Sequence, residues 1–150
     1  MRAGNVCTHT VAVVDGNTTV MDAARRMRGD HVGDLVVVED RAGRLLPVGI
    51  LTDRDIVVGL VARGLEGLDR LLVSDVIVRP LVTAHEDEDS MVVAKRMRDN
   101  GVRRVPVIDA KGELVGILSV DDLIGILHAE LEQLAKLVGH QHQSEELLRP

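Results

Sequence analysis

Gly49-Ile50-Leu51-Thr52-Asp53-Arg54-Asp55 and Gly116-Ile117-Leu118-Ser119-Val120-Asp121-Asp122 are one phrase written twice, 67 positions apart. Each copy runs glycine, two aliphatic residues, a hydroxyl, two further residues and an aspartate. The aliphatic pair closes a strand-like run, Val48 to Leu51 or Leu114 to Leu118. The hydroxyl then opens a helical pattern, so the phrase marks a strand-to-helix junction. Upstream the chain repeats with a shift of 70: Val6 falls on Val76, Met21 on Met91, Ala24 on Ala94, and Arg26-Met27-Arg28 on Arg96-Met97-Arg98. Val32 meets Val102 and Val37 meets Val107. The length difference is taken up between Asp40 and Val48, where Ala42-Gly43 reads as a turn and Leu46-Pro47 is extra. Two copies of one unit, not a solenoid array, fit 150 residues.

Each copy reads as strand, helix, strand, strand, helix. Val11 to Val14 is an apolar run closed by Asp15-Gly16-Asn17, a turn signal. Val20, Ala23, Ala24 and Met27 follow at helical spacing, stopped by Gly29-Asp30. Leu35 to Val38 and Val48 to Leu51 are the next two strands, and Thr52 opens the last helix. The second copy predicts strands at Leu81 to Ala84, Val105 to Ile108 and Leu114 to Leu118, with helices over Met91 to Arg98 and from Ser119 onward. A strand, crossover helix and strand imply a parallel pair, and the short turn adds an antiparallel neighbour. The expected fold class is α/β (α+β): two tandem β-α-β-β-α repeats with pseudo-two-fold symmetry. The divisions expected are 1–64, a linker at 65–70, a second repeat at 71–128, and a C-terminal helix and tail at 129–150, the helix running to Val138 and the tail fraying from His140.

Composition narrows the chemistry. The chain has no Phe, Trp or Tyr and 25 valines, so its core is aliphatic. Base stacking on aromatic side chains is excluded, and a net charge of −6 argues against nucleic acid and anionic membrane as partners. The single cysteine, Cys7, excludes an intrachain disulfide and reads as a small buried hydrophobe. His140-x-His142 lies in a polar tail and is a weak metal candidate; no metal is expected. Glu86-Asp87-Glu88-Asp89 reads as a solvated turn before a helix. Arg25, Arg26, Arg28, Lys95, Arg96 and Arg98 read as solvent charges. No apolar run approaches the ~20 residues of a membrane span, and the first residues lack a signal-peptide pattern, so a cytoplasmic protein is expected.

The two junctions admit two readings. Thr52 and Ser119 are good N-caps, with Asp55 and Asp122 at the third helical position, where a carboxylate favours the dipole. The same geometry offers free N–H groups and a hydroxyl to a phosphate, and a carboxylate to the two hydroxyls of a ribose. Repetition does not choose between them, since duplication copies either role.

The order of these motifs, together with Val102-Arg103-Arg104-Val105-Pro106-Val107-Ile108-Asp109, resembles a tandem pair of cystathionine β-synthase (CBS) domains, a Bateman module, over residues ~6 to ~128. The resemblance implies an adenosyl ligand, AMP, ADP, ATP or S-adenosylmethionine, bound in clefts between the repeats. It implies that Asp55 and Asp122 hold ribose, and that Thr52 and Ser119 sit by ribose or phosphate. Arg103 and Arg104 would meet the phosphate across the cleft from Thr52 and Asp55. In the other cleft Gly33 and Asp34 stand where those arginines stand, so an acid is expected to face the phosphate there. The base pocket is expected at Val13, Val36, Thr83 and Pro106.

No nucleophile–base pair, metal cluster or P-loop is visible, so a regulatory module rather than an enzyme is expected, acting on an effector protein in trans. The alternative is a ligand-insensitive protein–protein interaction or dimerisation module, in which the aspartates only cap helices. A homodimer is expected from helical geometry. Ile56, Val57, Val58, Leu60 and Val61 spread over about 200° of arc, and Leu123, Ile124, Ile126 and Leu127 over about 160°, against the ~100° one packed face requires. Leu127, Leu131, Leu134 and Val138 continue that stripe.

Overall fold

The computed structural model describes residues 1–77 and 80–147, with side chains as far as Val138. A short helix α1 (Ala3–Val6) precedes β1 (Val13–Asp15), α2 (Val20–Asp30), β2 (Asp34–Arg41) and β3 (Arg44–Thr52). A π-helical segment, Asp55–Val61, ends the first repeat. The second repeat runs α3 (Val73–Val76), β4 (Ala84–His85), α4 (Ser90–Asn100), β5 (Arg104–Ile108), β6 (Leu114–Ser119) and α5 (Val120–Leu147). Each repeat has a three-stranded sheet, β1-β2-β3 or β4-β5-β6, with the first pair parallel and the second antiparallel. The expected mixed α/β class and the tandem strand–helix–strand–strand–helix order are the observed ones.

Local chemistry explains the elements. Thr19 caps α2 by accepting from Asp22 N at 3.2 Å, and Asp89 caps α4 by accepting from Met91 N at 2.9 Å. Both helices end on a left-handed residue, His31 and Gly101. Ala42 and Gly43, at φ 55° and 82°, make the two-residue hairpin between β2 and β3; positive φ at both positions matches the twist of the flanking strands. A bulge falls at Val37/Val38 in one sheet and Val107/Ile108 in the other, the same place in each repeat.

The packing units are not the sequence repeats. The first core gathers Val14, Leu35, Val37, Leu51 and Ile56 with Val73, Val76 and Ile77 from the start of the second repeat. The second gathers Ala84, Val93, Met97, Val105 and Leu118 with Ala3, Val6 and Cys7 from the start of the first. The exchange is reciprocal, bond for bond. Ser90 N donates to Met1 O (2.7 Å) as Val20 N donates to Leu71 O (2.8 Å). Ala3 N donates to Glu88 O and Val73 N to Thr18 O, at 2.8 and 2.9 Å. Every one of these groups maps onto its counterpart by the shift of 70, as pseudo-two-fold symmetry requires. Two glycines admit the exchanged segments: Gly49 lies under Ile77, and Gly116 under Cys7.

Several expectations need correction. The C-terminal helix continues to Leu147 and does not fray from His140; the side chains of His140 and His142, and all of residues 148–150, lie outside the described residues. The helix after Thr52 is wound as a π-helix over Asp55–Val61. Arg96 is not a solvent charge. Its guanidinium bonds Glu88 through two nitrogens and donates to Thr83 O at 2.8 Å, the side chain being only 35% exposed. Cys7 is buried, as its type suggested, and burial pushes its thiol above the usual range.

Candidate functional site

The two junctions fold as reciprocal caps. Thr52 Oγ1 accepts from Asp55 N at 3.0 Å, while Thr52 N donates to Asp55 Oδ2 at 2.9 Å. Ser119 and Asp122 repeat the arrangement at 3.1 and 2.9 Å, and Ser119 Oγ also donates to Asp122 Oδ2 at 2.6 Å. The capping reading is therefore realised in both repeats. It spends one oxygen of each carboxylate.

The first junction opens onto a cavity of about 640 Å³. Thr52, Asp53, Arg54 and Asp55 form one wall. Gly101, Val102, Arg103 and Arg104, from the turn into β5, form the wall opposite. Ile50, Pro80, Leu81 and Val82 supply most of the apolar floor. Thus Thr52, Asp55, Arg103 and Arg104, four residues drawn from both repeats, converge on one space. Its volume falls within the ~300–1,000 Å³ of small-molecule sites.

The remaining candidates lie elsewhere. Ser119 and Asp122 do not line this cavity; beside them Thr8 bonds Ile117 in both directions at 2.9 Å. Val36 and Pro106 are fully buried in the centres of β2 and β5, and Val13 pairs with Val36 in register. Thr83 is half-buried, its carbonyl taken by Arg96. None of these four reaches the cavity. The apolar contacts there come instead from Ile50 in β3 and from residues just before β4 and β5, Leu81, Val82 and Val102. The motif adjoining Arg103-Arg104 held that signal for Val102.

The electrostatics hold one surprise. Arg104 Nη1 is ion-paired with Asp34 Oδ1, across the two repeats. Asp34 is 14% exposed and Arg104 35% exposed, so this pair is largely shielded from water. Arg103 reaches Asp121 at 3.3 Å on the open surface. Asp53 receives Arg54 N at 2.7 Å, and its own amide donates to Gly33 O at 2.9 Å. Among the described residues, no cluster of three or more His, Cys, Asp or Glu side chains is placed to hold a metal ion. Among the described residues, no helix is long and apolar enough to cross a membrane.

The family model described as "CBS domain" matches residues 3–62 and 73–129. The chain belongs to the CBS domain family. Its pair of CBS domains superimposes on that of protein MJ0100 in complex with 5′-methylthioadenosine and S-adenosyl-L-methionine, with a TM-score of 0.72 and 26% identity, covering 87% of this chain and 98% of that one. It is likewise similar to the CBS domain protein PAE2072 of Pyrobaculum aerophilum complexed with AMP, with a TM-score of 0.72 and 27% identity over 82% of this chain and 90% of that one. An uncharacterized protein of Methanopyrus kandleri is 31% identical over 126 residues, 84% of this chain. The CBS pair spans 62% of that relative's length.

Proposed function

We propose that this CBS pair is a regulatory module that binds an adenosyl ligand in the cavity between Thr52–Asp55 and Arg103–Arg104. The observation that carries the reading is the convergence of those four side chains, from two repeats, on one space of about 640 Å³. The free oxygen of Asp55 accepts from ribose hydroxyls, the Thr52 hydroxyl and Arg103 take phosphate or carboxylate, and the base lies against Ile50, Leu81, Val82 and Val102. The AMP, 5′-methylthioadenosine and S-adenosyl-L-methionine complexes of the two structural relatives support that class of ligand. Ser119 and Asp122 are the equivalent pair for a second, weaker site. Because the cavity walls belong to different repeats, a ligand favours one arrangement of the repeats, and an effector protein reads it.

The module acts as a homodimer in this reading. Val57, Val58 and Val61 are half exposed or more on one helix, and Ile124, Leu127, Leu131, Leu134 and Val138 are 40–64% exposed on its counterpart. The two faces are equivalents under the internal pseudo-symmetry, so a second copy of the same surface complements them.

Calorimetry with AMP and S-adenosylmethionine on the wild type and Asp55→Ala tests the site. Loss of the cap costs about 0.5–1 kcal/mol of stability. Loss of a charged hydrogen-bond partner costs about 1.5–3 kcal/mol of affinity. Heat of binding in the wild type that weakens at least tenfold in the folded variant supports the reading. No heat with either compound at millimolar concentration leaves the ligand-insensitive interaction module.

A further inference from the structure

We infer that Asp34, a residue outside the cavity lining, sets the charge of the ligand the cavity accepts. The inference rests on the adenosyl-site reading and adds to it the class of ligand preferred: a nucleoside carrying one phosphate or none, over a triphosphate. The charged side chains lining the cavity are Asp53, Asp55, Arg54, Arg103 and Arg104. By themselves they carry three positive and two negative charges. Two of the arginines are already matched, however, Arg104 by Asp34 and Arg103 by Asp121.

The two matches differ in kind. The Arg103–Asp121 contact is long, 3.3 Å, and both side chains are more than two-thirds exposed, so water and salt screen it and a phosphate displaces Asp121 readily. The Arg104–Asp34 pair is shielded, with Asp34 only 14% exposed. A phosphate that took Arg104 would leave the Asp34 carboxylate unmatched where little water reaches it. Arg104 is therefore held, and the cavity presents two guanidiniums, Arg103 and, on the opposite wall, Arg54, against the two carboxylates of Asp53 and Asp55, so that its lining carries no net positive charge. Such a lining lets one phosphate pair with Arg103 but holds no surplus positive charge to offset the further charge of a triphosphate. An uncharged 5′-substituent or a sulfonium is tolerated for the same reason.

Titration calorimetry with 5′-methylthioadenosine, AMP and ATP, on the wild type, Asp34→Asn and Asp34→Glu, tests this. The wild type is expected to bind AMP and 5′-methylthioadenosine more tightly than ATP. Asp34→Asn frees Arg104 and is expected to tighten ATP about fivefold to tenfold, AMP less, and 5′-methylthioadenosine not at all; the last also reports that the variant is folded. Asp34→Glu keeps the charge and the wild-type order. ATP binding tighter than AMP in the wild type, or an ATP-to-AMP ratio unmoved in Asp34→Asn, overturns the inference while leaving the site reading intact. If Asp34→Asn does not fold, the wild-type order and its dependence on salt decide: a steep loss of ATP affinity with rising salt, steeper than that of AMP by more than one charge, overturns it too. No binding of any of the three compounds overturns the site reading and this inference together.

Discussion

Arg104 and Asp34 occupy the same position in the two repeats, 70 residues apart, and they bond to each other. Two equivalent positions can touch only where they meet at the symmetry axis, so this pair marks the pseudo-two-fold axis of the chain. Duplication alone would have put like residues there. The divergence of one to an acid and the other to a base turned a self-contact into an ion pair, which also removes the acid expected to face a phosphate in the second cleft.

The pair should couple the repeats measurably. Asp34→Ala leaves Arg104 one-third exposed, able to recruit some water, so its cost is about 1–2 kcal/mol, above the 0–1 kcal/mol of exposed pairs. Arg104→Ala strands the more buried Asp34 and costs at least as much. In the double variant the two losses overlap, and urea unfolding should give a coupling energy of about 1 kcal/mol or more. Strict additivity would show that the contact contributes nothing to holding the repeats together.

The glycines beneath the exchanged segments should not be equivalent. A Cβ at Gly49 would meet Ile77 Cδ1 at 2.7 Å and its Cβ at 3.1 Å, and the tip of that side chain can swing away. A Cβ at Gly116 would collide with Cys7 Sγ and stand 3.0 Å from the Thr8 carbonyl, which is fixed by Ile117 N at 2.9 Å. Overpacking against backbone is the costlier kind, so Gly116→Ala should lose about 2–3 kcal/mol and Gly49→Ala about 1–2 kcal/mol. Cys7 provides an independent readout. Its buried, high-pKa thiol should react slowly with iodoacetamide in the wild type and at least tenfold faster in Gly116→Ala. Equal reactivity in both would show that the N-terminal segment is not seated on Gly116.

Acid should loosen the second repeat through Glu88. Its hydrogen bonds from Arg96 hold the carboxyl below the usual range, and the His85 amide adds a further bond at 2.7 Å. A carboxylate with a depressed folded pKa contributes fully above its unfolded value, about 4.3, and loses that contribution as pH falls through the folded value. Asp89, Asp99 and Asp109 are lowered too, by the N-terminal amine, by Lys95, and by the Glu113 amide respectively. Glu88→Gln should therefore be less stable to urea than the wild type at pH 7, by about 1 kcal/mol for a partly screened pair. The gap should narrow between pH 5 and pH 3. A gap constant with pH would mean that the charge on Glu88 does not matter.

Sequence carried the local physics well and the cross-repeat physics poorly. The caps at Thr52/Asp55 and Ser119/Asp122, the Ala42-Gly43 turn and the helices starting at Val20 and Ser90 depend on neighbours a few residues away, and periodicity exposes them. The four-residue helices Ala3–Val6 and Val73–Val76 are too short to show a period, so the exchange of opening segments stayed hidden. The same is true of Asp34, whose partner is 70 residues off. The base-pocket expectation at Val36 and Pro106 rests on the family resemblance, which does not show which way each strand residue faces. The centres of β2 and β5 point into the cores, and the cavity floor is built from Ile50 near the end of β3 and from residues that precede β4 and β5.

The exposed apolar helix faces should pair two copies of the chain. One turn of packing against a sheet uses Ile56 and Leu60 on the first helix and Leu123 on the second, each 7% exposed or less. Val57, Val58 and Val61 on the first, and Ile124 and Leu127 on the second, remain outside, 40–57% exposed. Burial of such side chains is worth about 25 cal/mol per Å² removed from water, and a stable interface needs roughly 800 Å² per partner. The two short helix faces supply part of that area, and the stripe of Leu131, Leu134 and Val138 along α5 extends it. Light scattering after size exclusion should therefore give twice the 16.3 kDa chain mass at tens of micromolar. Val61→Glu combined with Ile124→Glu should bring the mass down to that of one chain, with little change in the monomer's own contacts because both side chains already face outward. A wild-type mass of one chain would defeat the dimer, and a double variant that still pairs would move the dimer surface away from these helices.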